Sequence, residues 1–313
     1  MSRMLHVTSR GGAAAACGDS SALWYDLENP TEEEELEVEQ SLGIDVPTPA
    51  ERSAFEESAR FYEENGSLHL TATLLGRRDE GHLVSGPVTF ILTGDGKLVT
   101  VRQVRPRAFE IGHGRASARV ASARSGADVM LALVEGAAER LADVLADATR
   151  DANALSVKVF DETGAFDLRT ALRDLGRIGA LSALVHDSLA SLQRLLVYAR
   201  ASKGKFGLDA ARVAALGRDV GELERIAETL QPRLSYLQDA MLGLINAQQT
   251  NVLKALSLAT IAFVPPTLIA SVFGMNFEAM TWFREPWGPW VGIALMLVAP
   301  AALFGIAKWR RWF

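Results

Sequence analysis

A single cysteine, Cys17, stands in a chain of 313 residues, so neither a disulfide framework nor a thiolate metal cluster can form within one copy. Histidine is nearly as sparse. His6, His69, His82, His113 and His186 are scattered, no two lie three or four apart, and HExxH is missing. That spacing excludes a zinc site of ordinary protein type. The chain also lacks GxxxxGK[ST], GxGxxG behind a strand, and GxSxG, the turns that cradle phosphates or expose a nucleophilic serine. "GHGR" at 112–115 is only a glycine-containing loop. A net charge of −6 without a basic stripe excludes a nucleic-acid partner. The chain is therefore not expected to be an enzyme or to carry an organic cofactor.

Charge itself is missing from two long stretches. Residues 255–277 and 286–307 contain no charged side chain over 23 and 22 residues. As helices rising about 1.5 Å per residue, each spans roughly 33 Å, enough for a hydrocarbon core of about 30 Å. Two such runs in succession predict two membrane helices joined by a short external loop, 278–285. Lys254 precedes the first run, and Lys308, Arg310 and Arg311 follow the second, so the positive-inside rule puts both termini in the cytoplasm. Trp282, Phe283, Trp287 and Trp290 at one side, with Trp309 and Trp312 at the other, read as interfacial belts. The first residues, "MSRMLHVTSRGGAAAACG", hold too weak an apolar stretch for a secretory signal, which keeps residues 1 to about 250 in the cytoplasm.

The polar part changes period along its length. Residues 1–124 mix short strands and helices: "ALWYDL" (22–27), "SLHLTATLL" (67–75), "PVTFILT" (87–93) and "KLVTVRQV" (97–104) are β-rich, the last two joined at Asp95-Gly96. "NPTEEEELEVEQSLG" (29–43) reads as an acidic helix starting at Asn29-Pro30, its Glu run a solvated face. Apolar residues then recur at three- and four-residue steps across 125–204, predicting two long antiparallel helices with a turn at "DETGAF" (161–166). A third helical pattern, 205–254, runs into the first membrane stretch without a loop signal. Pro232 marks a kink or a restart within it.

The first membrane helix carries the most suggestive pattern. At alternating steps from Thr250 come Leu253, Ser257, Thr260, Val264, Thr267 and Ser271, five of the seven bearing hydroxyls, and the stripe continues to Gly274. Such hydroxyls either bond neighbouring helices or their own backbone, or they line a water path. Two membrane helices cannot enclose a pore, so the second reading needs a symmetric ring of subunits. Pro265 and Pro266 deprive the carbonyls of Ile261 and Ala262 of helix donors, which is tolerated at that depth only in protein or beside water.

"TNVLKALSLATIAFVPPTLIASVFGMNFEAM" closely resembles the end of CorA magnesium transport proteins: a Lys-headed first membrane helix, Pro-Pro-Thr, then Gly-Met-Asn. The resemblance continues through the second membrane helix to the basic tail, and upstream in "WYDLENPTEEEELEVEQSLG", "ESARFYEENGSLHL" and "MLGLINAQQTN". It implies an α+β cytoplasmic domain, a long stalk helix and two transmembrane helices, assembled as a funnel-shaped homopentamer in the bacterial cytoplasmic (inner) membrane and embedded in its lipid. Its pore would be lined by the helix of 255–277, with 286–307 as the second transmembrane helix and 308–313 as a basic tail. By the same resemblance Gly274, Met275 and Asn276 form the outer selectivity mouth, Asn276 offering its amide oxygen to hydrated Mg2+. Thr267 would form a second polar ring. Val264, Leu256 and Leu253 would sit at a hydrophobic constriction, with Thr250 below and Asp239 near the cytoplasmic end.

Mg2+ sheds water reluctantly, so neutral oxygens facing its hydration shell suit a transport site better than a carboxylate cage. The implied function is passive uptake of divalent cations, Mg2+ first and Co2+ or Ni2+ as alternatives, with internal Mg2+ closing the pore. The regulatory site is not located by motif; Asp219, Glu222, Glu224 and Glu228 are candidates only by lying on the stalk. This sequence departs from the family in reading "MTWF" at 280–283 where a Met-Pro-Glu-Leu stretch is common, and in Thr250 where Asn is frequent. Two rival readings stand beside it: a zinc transporter of the same superfamily, disfavoured by Met275, and a membrane-anchored sensor or structural protein that conducts nothing.

Overall fold

The computed structural model describes residues 7–10, 22–54, 56–77, 83–110, 114–161, 167–202, 204–275 and 286–310, with the backbone alone for 7–10 and 114–117. Outside these fall Asn276, the loop expected at 278–285, nearly all of the turn expected at 161–166, and the end of the basic tail. The chain divides into two units, Met1–Gln238 and Asp239–Phe313.

Strands of β-branched and aliphatic residues build one mixed six-stranded sheet in the first unit. In chain order they are β1 (Val7–Arg10), β2 (Trp24–Glu28), β3 (Phe61–Glu64), β4 (Ser67–Arg77), β5 (Leu83–Leu92) and β6 (Leu98–Arg102). Their spatial order is β1-β2-β6-β5-β4-β3. β1, β2 and β6 run parallel, and the remaining neighbours are antiparallel. β3 and β4 are joined through Asn65-Gly66, both at positive φ (49° and 76°), as a tight hairpin turn requires. Asp95-Gly96, by contrast, lies inside a longer connection from Leu92 to Leu98, where Gly96 donates its N–H to the Thr93 carbonyl at 3.1 Å.

Alternation along the strands separates two faces. Tyr25, Leu27, Ile91, Val99 and Val101 form one apolar core with Val38, Ile44 and Val46. Val38 belongs to helix α1 (Glu32–Leu42), whose cap is Thr31, not the Asn29-Pro30 pair before it. Thr31 and Glu34 exchange a capping box, and four glutamates fill the first turn, where the helix dipole favours negative charge. The opposite face carries Trp24, Asp26 and Glu28 beside Leu98, Thr100 and Arg102. Gly126, at the start of α5 (Gly126–Phe160), brings that helix onto the sheet: its N–H donates to the Gly96 carbonyl at 2.7 Å, and a Cβ there would come within 2.4 Å of the Lys97 carbonyl carbon.

Helix α6 (Leu168–Ala201) returns beside α5, and its Ser191 hydroxyl accepts the Thr73 N–H of β4 at 2.8 Å. Between the sheet and α5 lie a short α4 (Gly114–Ala121) and a 3₁₀ turn, Arg107–Phe109; the four-residue helices α2 (Pro49–Arg52) and α3 (Glu57–Arg60) precede β3. Helix α7 (Ala210–Gly274) begins where Asp209 accepts the Ala211 N–H, and it runs through Pro232 without a restart. In the first unit it buries Val213, Leu216, Val220, Ala227, Leu230, Leu234 and Leu237, the three-and-four spacing of an apolar seam. Arg212 grips Glu135 of α5 at 2.7 and 3.0 Å, and Tyr236 stacks on Phe160. In the second unit α7 reaches Gly274, and α8 (Gly288–Trp309) follows.

Candidate functional site

Both helices of the second unit are long and apolar enough, by length and composition, to cross a membrane. At about 1.5 Å per residue, α8 alone spans roughly 33 Å. Its ends carry exposed indoles, Trp287 and Trp290 at the start and Trp309 at the finish, the positions of interfacial anchors. Pro289 sits in its first turn, where a missing N–H costs nothing, and Pro300 lies inside it.

The stripe on α7 is exposed along its length. Thr250, Leu253, Ser257, Thr260, Val264, Thr267 and Ser271 are all open within the single chain, as is Leu256 beside the stripe, Leu253 and Leu256 at 61% and 62%. The three threonines share one geometry. Each hydroxyl donates to the carbonyl four residues earlier: Thr250 to Asn246 at 2.8 Å, Thr260 to Leu256 at 2.9 Å and Thr267 to Phe263 at 2.6 Å. The backbone-bonding alternative is thus realised, and it has a chemical consequence. With its proton committed to the backbone, each hydroxyl oxygen presents only lone pairs outward, as an acceptor.

The stripe ends where α7 ends. Gly274 is its last residue, and Met275 follows with its N–H on the Val272 carbonyl at 3.3 Å and its side chain exposed. Asn276 lies outside the described residues. Asp239, at the start of the second unit, is exposed.

Two of the four acidic candidates, Asp219 and Glu222, line a groove of about 800 Å³ between α4, α5 and α7, together with Arg119, Glu135, Glu139 and Arg212. Here three of the four carboxylates are already partnered: Arg119 pairs with Glu139 at 2.9 Å, Arg212 with Glu135, and Arg225 with Glu222, while Asp219 has no ion pair among the described residues. The bond to Glu135 raises the Arg212 pKa further. Glu224 is half-buried and Glu228 exposed. Among the described residues no group of three or more His, Cys, Asp or Glu could hold a metal ion. Arg225 and Glu222 are three apart on one helix, a spacing visible in the sequence, but Arg119 and Arg212 lie 20 and 77 residues from their acids, and no local spacing marks those pairs.

A family model described as CorA-like Mg2+ transporter protein matches residues 19–308. The magnesium transport protein CorA of Sodalis glossinidius is 31% identical over 295 residues, covering 93% of this chain and 92% of that one. The protein of the same name from Escherichia coli K12 is 29% identical over 292 residues, covering 93% and 92%. Among solved structures, the complete CorA magnesium transporter of Methanocaldococcus jannaschii superposes with a TM-score of 0.69 at 19% identity, covering 91% of this chain and 89% of that chain.

Proposed function

The chain belongs to the CorA-like Mg2+ transporter protein family, and from that premise we propose that it is a homopentameric channel for passive Mg2+ uptake, with α7 lining the pore. The observation that carries the reading is the stripe of α7, uncharged from Ala255 to Gly274 and bearing hydroxyls, of which Thr260 and Thr267 commit their protons to the backbone and offer their oxygens as acceptors. A hydrated Mg2+ presents its water protons outward. Acceptor oxygens hold such a shell without stripping it, so the ion binds weakly enough to leave.

In this proposal Gly274, Met275 and Asn276 form the outer mouth, where five helix C-termini add their negative dipole ends. Thr267, Thr260 and Ser257 make successive polar levels, Val264, Leu256 and Leu253 the apolar constriction, and Thr250 and Asp239 the inner end. Co2+ and Ni2+ share the route. Both termini lie in the cytoplasm of a bacterial inner membrane, as the basic flanks Lys254, Lys308 and Arg310 favour. Internal Mg2+ closes the pore. Since Glu135, Glu139 and Glu222 of the α7 groove are paired with arginines and Asp219 alone remains there, too few ligands for a cation, we assign that sensing to acids contributed by more than one chain.

Flux into proteoliposomes loaded with a Mg2+-sensitive dye tests the reading. Purified wild-type protein is expected to admit Mg2+ down its gradient, and Asn276→Ala to abolish the flux while the oligomer stays intact. No flux from wild type would point to a non-conducting anchor, and normal flux in the variant would remove Asn276 from the mouth. Zn2+ that is itself carried in preference to Mg2+ would favour the zinc reading.

A further inference from the structure

Four arginines from three separate segments line one small cavity of about 190 Å³ in the first unit: Arg77 at the end of β4, Arg105 and Arg107 in the connection beyond β6, Arg107 within the 3₁₀ turn, and Arg140 on α5. The backbone builds this convergence. Arg77 and Arg105 exchange both N–H···O=C bonds, at 3.1 and 3.0 Å, which sets two like charges directly opposite, an arrangement that destabilises a strand pair unless something compensates. Gly76 permits the approach, because a Cβ there would lie 3.0 Å from the Arg105 carbonyl carbon and 3.0 Å from the Pro106 nitrogen.

Compensation from the protein is incomplete. Arg105 is held by Glu28, but Arg77, Arg107 and Arg140 have no ion pair among the described residues. Glu110, the one acid lining the cavity among those residues, pairs with none of them. A chain of net charge −6 thus concentrates unspent positive charge at one polar recess. Its size selects the ligand. Pockets for whole organic molecules run to about 300–1,000 Å³, whereas this one, about 190 Å³, falls below that range. A tetrahedral oxyanion fits; a base or sugar does not. Guanidinium forks match phosphoryl oxygens in pairs, and hydrogen bonds to such a dianion are charge-assisted.

We propose that this cavity is a phosphoryl-binding site of the first unit, taking inorganic phosphate, pyrophosphate or the terminal phosphoryl group of a nucleotide between Arg77, Arg107 and Arg140. The site is independent of the transport proposal, since none of its residues belongs to the second unit. Calorimetric titration of the full chain in detergent, without Mg2+ and at constant ionic strength, tests it with phosphate, pyrophosphate and ATP in separate arms and chloride as the control. Phosphate binding assigns the site to the free anion, and binding of ATP alone assigns it to a nucleotide terminus. The double variant Arg107→Gln/Arg140→Gln, and independently Arg77→Gln on a different element, are expected to weaken binding about tenfold or more without lowering the anion-free thermal unfolding midpoint, which relief of the Arg77–Arg105 repulsion can only raise. No heat with any phosphoanion, a response matched by chloride, or undiminished binding in a folded variant would overturn the assignment.

Discussion

Arg102 shows how much of the first unit hangs on single polar side chains. It is buried, with Nη2 donating to Asp26 at 2.9 Å and to Glu28 at 2.7 Å, Nη1 donating to the Val104 carbonyl, and its guanidinium 5.1 Å from the Phe109 ring centroid. Thr100 completes the network, donating to Asp26 and accepting the indole N–H of Trp24 at 2.9 Å. A paired set of this kind adds little over apolar packing, but removing one partner strands the others. Arg102→Met should therefore cost about 3–5 kcal/mol, read as a lowered midpoint in chemical denaturation. His69 is a second such point. It lies buried on β4, stacked on Tyr62 at 4.5 Å, its Nδ1 without a partner among the described residues. Burial pulls its pKa down to about 4, with Asp45 opposing weakly. Because the unfolded chain takes up this proton near pH 6.5, the neutral ring's contribution is complete above that pH and is lost progressively as pH falls towards 4, about 3 kcal/mol in all. Subtracting the pH-stability profile of His69→Phe, which keeps the ring stack but cannot titrate, should isolate that slope. Identical profiles would show that His69 is not the group responsible.

At the level of elements, the long helices and apolar runs were legible because their signals are local. The three-and-four spacing of 125–204 corresponds to α5 and α6, and the uncharged stretches correspond to the end of α7 and to α8. Connections were less legible. Asn65-Gly66, just ahead of the β-rich run 67–75, makes the tight hairpin turn, whereas Asp95-Gly96 resembles one but sits in a wider loop set by the Gly96–Gly126 contact, 30 residues apart in the chain. The parallel pairing of β2 with β6, and the arginine partners of the acids on α5, depend on residues brought together only by folding. The stripe on α7 was visible as spacing, but the direction of its hydroxyls was not. That direction can be tested at Thr260. Valine preserves the branched shape and removes the acceptor oxygen, so Thr260→Val should leave helix content unchanged and lower Mg2+ flux about threefold or more. Unaltered flux would mean that this hydroxyl serves only the helix backbone.

The whole molecule then has to resolve a contradiction that one chain cannot. α7 leaves Leu253 and Val264 exposed beside Thr250, Thr260 and Thr267, so apolar and polar groups share one open stripe. Facing lipid, the acceptor oxygens would be wasted; facing bulk water, the apolar side chains would be. The proposed symmetric ring would remove the conflict by turning the stripe onto a central axis, where water and hydrated cations would meet the oxygens and the larger side chains would narrow the path. Isologous pairing of two copies would leave no enclosed channel, whereas a closed heterologous ring provides one. Native mass spectrometry of the detergent-extracted protein is therefore expected to show five copies as the main species, and disulfide crosslinking of a Ser257→Cys variant should join neighbouring chains through the stripe, Cys17 first being replaced. A monomer or dimer that still conducts Mg2+ would break the link between stripe and pore. A pentamer of the Ser257→Cys variant whose chains fail to crosslink would place another face of α7 on the axis.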